Sequence, residues 1–468
     1  MEKSRLVQLL RTFDAEEWRA LKKCAASPYF NQRKEVVDLL EVLEKPLRQG
    51  KPAPEKEVVF QKLFGGQDFD DHRVRMAMSF AFQVVEQFLV VRVSTEDAAR
   101  FQMQLAAIYR RRNLPEHFGR AHETAAALQE QAPLRNADFY EAQYQVGLEK
   151  HRFDLGKQAA AELQLQALSD DLDHAFLARK LWQSCFMLSH QALSNTQYDF
   201  GLLEGVLMGM EQSGRLKEPA IAIYYYCYMS LTHPEAGGYF QSFKTVLLRH
   251  ADLFPAEELR DLYILAINFC TRRYNAGNQE YLREQFELYQ DGLAKGYFLT
   301  DGSISRYTYL NAATAGLVLN ELAWTEQFIE TYRSKLPDNQ REGLYSFNAA
   351  RLEYRRQHLD GALVLLQKAE YKDVLLHLAA KTLQLKIFYE LGEYDLLESH
   401  LQAIRMFIRR KKVMGYHREN YLNVVHFTQK LLEMPLFDKA GRVNLRADIE
   451  ATKAVAEKEW LLEQLSRG

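Results

Sequence analysis

Asp170, Asp171 and Asp173, beside His174 in "DDLDH", are the residues of this 468-residue chain whose types and spacing come nearest to catalytic chemistry. Carboxylates one turn apart on a helix can chelate a hard cation that bridges to the oxygens of a diphosphate. That chemistry needs a second aspartate-rich motif facing the first, and none stands at suitable spacing. Acidic residues also gather at helix amino termini, where they complement the helix dipole, and "DFDDH", Asp68 to His72, repeats the pattern at another expected helix start. The dipole accounts for both stretches without catalysis.

Other motifs fail on their own spacing. His122 and Glu123 open an HExxH-like run, but Ala126 holds the place of the second histidine, so the zinc geometry is missing. Gly156 and Lys157 lack the earlier glycine and the following hydroxyl of a phosphate loop. There is no GxSxG elbow and no GxGxxG turn. Cys24, Cys185, Cys227 and Cys270 are far apart and form no CxxC pair, which argues for free thiols over a disulfide framework or a structural zinc. No cofactor is implied.

Charge offers a different chemistry. In "RMFIRRKKVMGYHR", Arg405, Arg409, Arg410, Lys411, Lys412 and Arg418 occur with no acid between Glu398 and Glu419. Two or three cations suffice to complement a helix carboxyl terminus, and the excess points to an anionic partner, an acidic peptide segment above all. Arg110, Arg111 and Arg112 end another helix with a smaller excess. Neither cluster carries the interleaved aromatic and glycine pattern of a nucleic-acid module. With 60 basic and 62 acidic residues the whole chain has no field that would gather nucleic acid or anionic membrane.

The elements that must position these residues are helices. Composition is 47% hydrophobic and 26% charged, with 11 prolines placed at apparent breaks, as in a folded soluble protein. Apolar residues recur at three and four, as in Leu282, Phe286 and Tyr289, or Leu397, Leu401, Ile404 and Ile408. The best strand candidate, "IAIYYYCYMSL", opens with Glu218 and Pro219 like a first helical turn, so it too is expected to be helical. The apolar segment Val74 to Val93 carries Gln83, Glu86 and Gln87, which fits a core helix better than a membrane span. The apolar run at the amino terminus stops within about five residues, short of a signal peptide, and a cytoplasmic protein is expected.

The last third shows a period of 35. Ala315, Ala350 and Leu385 form one column, Leu319, Tyr354 and Tyr389 a second, and Trp324, Leu359 and Tyr394 a third. This resembles the tetratricopeptide repeat of about 34 residues, with Gly392 at the tight corner. The usual first-helix tryptophan and closing proline are absent, and Gln357 stands where the glycine should. Nearer the start, "SPYFN" is expected to be a corner: Pro28 ends a helix begun near Asp14, Tyr29 and Phe30 plug the gap between helix ends, and Asn31 caps the next helix. The same grammar recurs in "MPLFD", Pro435 to Asp438. With a Leu-Phe-Gly turn before a second acidic helix start, this region resembles the opening of a group of all-helical, tetratricopeptide-like proteins of Bacteroidota. The resemblance implies a helical chain and brings no activity.

The expectation is an all-α protein: an amino-terminal helical domain (1–93), irregular helical hairpins (94–302), tetratricopeptide-like repeats (303–434) and a capping helix (435–468), together an α-solenoid. The function expected is a non-enzymatic scaffold that binds a protein or peptide, with the basic set as its contact. Two rivals follow from other residues. One is a DNA-binding or peptide-sensing regulator, with Arg73 and Arg75 of residues 1–93 on DNA and the hairpin array sensing a peptide, and the other is a magnesium-dependent prenyl-diphosphate enzyme using Asp170, Asp171 and Asp173.

Overall fold

Asp14 accepts hydrogen bonds from the amides of Glu16 and Glu17, while the Glu17 carboxylate accepts from the amide of Asp14. This reciprocal cap satisfies donors that a helix start leaves open. Asp70 and Asp373 cap their helices through the same side-chain bonds. The computed structural model describes residues 1–155, 165–194, 196–411, 415–435 and 438–467. Among them the chain is all-α, 76% helical, with 23 α-helices. Gly156, Lys157, Lys412, Leu436 and Phe437 lie outside the described residues.

The first nine helices are α1 (Arg5–Leu10), α2 (Ala15–Ala25), α3 (Lys34–Arg48), α4 (Lys56–Phe64), α5 (Asp71–Glu96), α6 (Ala98–Arg111), α7 (Pro115–Glu130), α8 (Ala137–Leu155) and α9 (Leu165–Leu193). Then come α10 (Leu203–Leu207), α11 (Pro219–Thr232), α12 (Gly237–Arg249), α13 (Ala256–Asn275) and α14 (Glu280–Ala294). A two-residue hairpin, β1 (Leu299–Thr300) and β2 (Ser303–Ile304), precedes α15 (Arg306–Val318), α16 (Leu322–Arg333), α17 (Arg341–Arg355) and α18 (Leu359–Lys368). The rest are α19 (Val374–Leu391), α20 (Tyr394–Arg410), α21 (Tyr416–Glu433), α22 (Lys439–Ala451) and α23 (Lys458–Arg467). Backbone contacts divide the chain into two units, Met1–Lys180 and Leu181–Gly468, and the division falls within α9. The narrower boundaries at 93, 302 and 434 are a reading of sequence texture.

In the first unit α1 to α5 enclose a core that includes Leu10, Trp18, Leu39, Phe60 and Val85. One face of α5 (Val74, Ala81, Val84, Val85 and Phe88) enters that core, and Gln83, Glu86 and Gln87 face outward. By length and composition α5 is also the one described helix able to cross a membrane, with 39% of its most apolar window buried.

The "SPYFN" corner departs from expectation. Asn31 does not cap α3, whose cap position is Arg33 with no side-chain bond. Its amide instead reaches back to the carbonyl of Ala25 and forward to that of Arg33, each at 2.9 Å, while its oxygen accepts from the Arg33 amide. Asn31 therefore closes α2 and pins the loop, and α3 starts later than expected. Tyr29 does not plug the gap either: it is 89% exposed, stacked edge-on against the half-buried Phe30.

In the second unit helices pair with their successors: α11 with α12, α13 with α14, α15 with α16, α17 with α18 and α19 with α20. First helices also meet, α15 with α17 and α17 with α19. The Tyr-rich α11 is helical from Pro219 at its first position, as the sequence indicates. The last three hairpins share one turn. Asn320, Gln357 and Gly392 take positive φ of 60°, 64° and 74°. The next amide, of Glu321, His358 or Glu393, then bonds to the carbonyl of Gly316, Glu353 or Phe388 at 2.8, 2.9 and 3.0 Å. This is the Schellman ending of a helix. Asn113 in the first unit does the same between α6 and α7. Thirty-seven residues separate Asn320 from Gln357 and 35 separate Gln357 from Gly392. The 35-residue columns thus fit the second and third turns and run two residues out of step at the first.

Candidate functional site

The apolar stripe of α20, Leu397, Leu401, Ile404 and Ile408, is buried and fixes where its cations fall. Arg409, Arg410, Lys411 and Arg418 are exposed and Arg405 half-buried, and none of these five forms an ion pair among the described residues. Lys412, the sixth of the set, lies outside the described residues. Arg410 and Lys411 act on His377 at the start of α19, whose ring stacks on Phe407 with centroids 4.4 Å apart. Burial, reinforced by the charges of Lys381, Lys411 and Arg410, holds the His377 imidazole below the usual histidine range, and its buried Nε2 has no hydrogen-bond partner. His400 is also depressed by burial, although its Nε2 sits 2.8 Å from the Lys381 carbonyl oxygen. Arg410, Lys411 and Lys381 therefore gather around one neutral histidine.

A larger feature lies on the other face of α19. A cavity of about 930 Å³ is lined by α15, α17 and α19 together with residues of α21 and α23. α19 turns Leu376, Ala379, Leu383 and Lys386 to this cavity, whereas His377 and Lys381 do not line it. None of the five described members of the basic set lines the cavity either. Tyr354 and Trp460 stand in its wall, both donating to Glu390, and Lys386 pairs with Glu457 at 2.7 Å. At the rim Arg306 pairs with Asp373 at 3.0 Å beside the exposed Tyr307. Burial pushes the Tyr371 and Tyr421 hydroxyls up to about 12, so both present neutral phenols.

Arg351 is the unusual wall residue. Its Nη1 donates to Thr314 Oγ1 at 2.9 Å and to Asn348 Oδ1 at 3.4 Å, and it has no carboxylate partner among the described residues. Burial pushes its guanidinium down to about 10, with the charge of Glu457 opposing the shift and that of Arg355 adding to it. Sequence reasoning passed over it. The available signal was a cation in the apolar stripe Leu344, Phe347, Ala350 and Tyr354 of α17, at a position that the helical period turns inward.

The remaining candidates are engaged elsewhere. Of the three aspartates of "DDLDH" only Asp171 lines a second cavity, of about 380 Å³, and burial raises its carboxyl with the charge of Asp170 adding and that of His174 opposing. Among the described residues no group of three or more His, Cys, Asp or Glu side chains is placed to hold a metal ion. His122 lies 3.0 Å from the Val146 carbonyl and stacks on Phe118. Arg110 pairs with the buried Glu149 at 2.5 Å. Arg75 pairs with Asp71, and Arg73 lies over the Phe64 ring at 4.0 Å. Cys185, Cys227 and Cys270 are buried free thiols, and Cys24 is half-buried.

No protein-family description, curated protein or solved structure matches the chain.

Proposed function

We propose that the protein is a non-enzymatic scaffold in which stacked helical hairpins, tetratricopeptide-like in their turns, bind a peptide segment of a protein partner. The observation that carries this reading is the 930 Å³ cavity lined by the first helices of three consecutive hairpins, α15, α17 and α19. Repeats of this kind stack so that equivalent helices share one face, and that face is a natural groove for an extended chain. The volume falls in the range of about 300–1,000 Å³ usual for ligand sites, and the mixture of aliphatic, aromatic and charged wall residues suits a peptide. The basic set at the end of α20 supplies a second surface, complementary to an acidic segment of the same partner.

The test places a photo-reactive benzophenone side chain at position 307 on the rim and identifies the crosslinked peptide by mass spectrometry. Val318→Trp, at an exposed wall position that ends α15, narrows the cavity without entering the core. A recurring segment that crosslinks to the open protein and is lost in Val318→Trp supports the reading. Crosslinks that survive the narrowed cavity unchanged sink it.

A further inference from the structure

We infer that the seam between α19 and α20 receives a phosphate monoester carried on the partner's acidic segment, held by Lys381, Arg410 and Lys411. The inference rests on the part of the reading above that gives the basic set an anionic partner, and it names that anion.

Helical spacing brings these cations together from two elements. On α19, His377 and Lys381 stand one turn apart on one face. On α20, His400, Phe407 and Lys411 share one stripe, with Arg410 at its flank, while Arg405 and Arg409 fall on the far side of the helix. The two faces meet through rings and one polar contact. His377 stacks on Phe407, Phe388 of α19 stands edge-on to His400 with centroids 5.4 Å apart, and His400 reaches the Lys381 carbonyl.

The seam gathers positive charge without a counter-charge. Lys381 is half-buried, Arg410 and Lys411 are exposed, and none of the three forms an ion pair among the described residues. Burial alone lowers the Lys381 ammonium from its ordinary range, and no acid contributes to the shift. The groups that act on His377 are Lys381 from its own helix, Arg410 and Lys411 from α20, and the Tyr371 main chain just before α19, to which the ring hydrogen bonds. The acid nearest to it in sequence, Asp373, caps α19 and pairs with Arg306. Cations held together in this way destabilise a fold, and an anion that arrives from outside removes the penalty.

Shape and charge favour a phosphate monoester over a carboxylate. A carboxylate has one charge and two oxygens in a plane, which a single guanidinium satisfies. A monoester carries about 1.5 to 2 negative charges at neutral pH and three acceptor oxygens that point in different directions, so it meets donors from two helices at once. The charges it neutralises are those that hold His377 neutral, and its binding should therefore let the imidazole take up a proton.

Fluorescence anisotropy tests this with pools of labelled nonapeptides, random except for a central phosphoserine, glutamate or serine. Wild type, Lys381→Met, the double variant Arg410→Gln with Lys411→Gln, and the double variant Arg405→Gln with Arg409→Gln are compared after their melting temperatures show that each folds. The phosphoserine pool is expected to bind wild type at least tenfold more tightly than the glutamate pool. Arg410→Gln with Lys411→Gln should weaken that binding at least fivefold, and so should Lys381→Met. Arg405→Gln with Arg409→Gln deletes the same charge from the far side of α20 and should weaken it no more than twofold. With the phosphoserine pool bound, the His377 ring resonance, assigned by its loss in His377→Gln, should titrate at higher pH than in the free protein. Equal binding of the phosphoserine and glutamate pools overturns the monoester while leaving the acidic-segment reading intact. Equal losses in the two double variants, or an unmoved His377 titration, overturn the seam as the site. Free O-phosphoserine or a single-stranded oligonucleotide that binds wild type as tightly as the phosphoserine pool overturns the peptide as the carrier. Failure of the phosphoserine and glutamate pools to bind wild type better than the serine pool overturns the anionic partner itself.

Discussion

Trp460 donates its indole Nε1 to Glu390 at 2.7 Å, and the Tyr354 hydroxyl donates to the same carboxylate oxygen. One acid thereby joins α17, α19 and α23 at the cavity wall. Trp460→Phe removes one donor and leaves the other, and should cost about 1–2 kcal/mol in urea denaturation. Glu390→Leu strands both donors and should cost more, while Glu390→Gln, which keeps an acceptor, should cost least. A Glu390→Leu variant as stable as wild type would show that the junction carries no weight.

Arg351 bears a recessed charge that forms no ion pair among the described residues, although the charge of Glu457 partly offsets it. Replacing it with methionine, which keeps an unbranched apolar stem and drops the guanidinium, removes that penalty, so Arg351→Met should raise stability by about 1–3 kcal/mol. The measurement is the denaturation midpoint at pH 7 without ligand. A loss of stability would mean that the bonds to Thr314 and Asn348 outweigh the half-buried charge.

His377 and His400 give the second unit a pH dependence of definite sign. Burial, with the Lys381 charge beside it, lowers both below the ordinary 6.5, so the folded state favours neutral rings. Above 6.5 neither state gains a proton and the stability is complete. As pH falls from there through the folded values, the unfolded chain binds protons first and stability is lost. The wild-type melting temperature should therefore drop between pH 7 and pH 5.5. In the double variant His377→Phe, His400→Gln the slope should flatten, and an unchanged slope would assign the effect to other groups.

Gln357 adopts φ of +64° in a turn where Gly392 takes the same conformation without a side-chain penalty. Gln357→Gly should stabilise by about 1 kcal/mol, and Gly392→Ala should destabilise by a similar amount. Thermal melts of the two single variants decide this, and equal shifts of the same sign would contradict it.

At the corner, Asn31→Ala should cost about 1–2 kcal/mol, because its side chain bonds to three main-chain groups. Tyr29→Ala should change stability by less than about 0.5 kcal/mol, since its ring is open to solvent. A large loss for Tyr29→Ala would restore it as a structural plug.

Local physics was legible in the sequence where it acts alone. The stripe of α20, the helix start near Asp14 and the proline start of α11 each depend on residues within one or two turns, and each stands as the spacing indicates. Asn31 was misread because an asparagine that caps forward and one that closes backward have the same neighbours. Only the folded loop decides that its amide reaches Ala25. The cavity was beyond reach for another reason. In "RLEYRR", Arg351 is one of three arginines, and it differs from the others only once α15, α19 and α23 surround it, with Trp460 more than a hundred residues away in sequence.

The Schellman turns at Asn320, Gln357 and Gly392 are closed by main-chain atoms alone. Mutation can change the side chain at such a corner without touching the bonds that make it, and the tolerance is about the 1–2 kcal/mol that an ordinary residue loses in the left-handed region. Under neutral drift the letters at such a corner can therefore fade while its backbone geometry persists. A glycine, an asparagine and a glutamine at equivalent corners are three spellings of one shape, and a common origin of such hairpins is to be sought in dihedral angles before it is sought in residues.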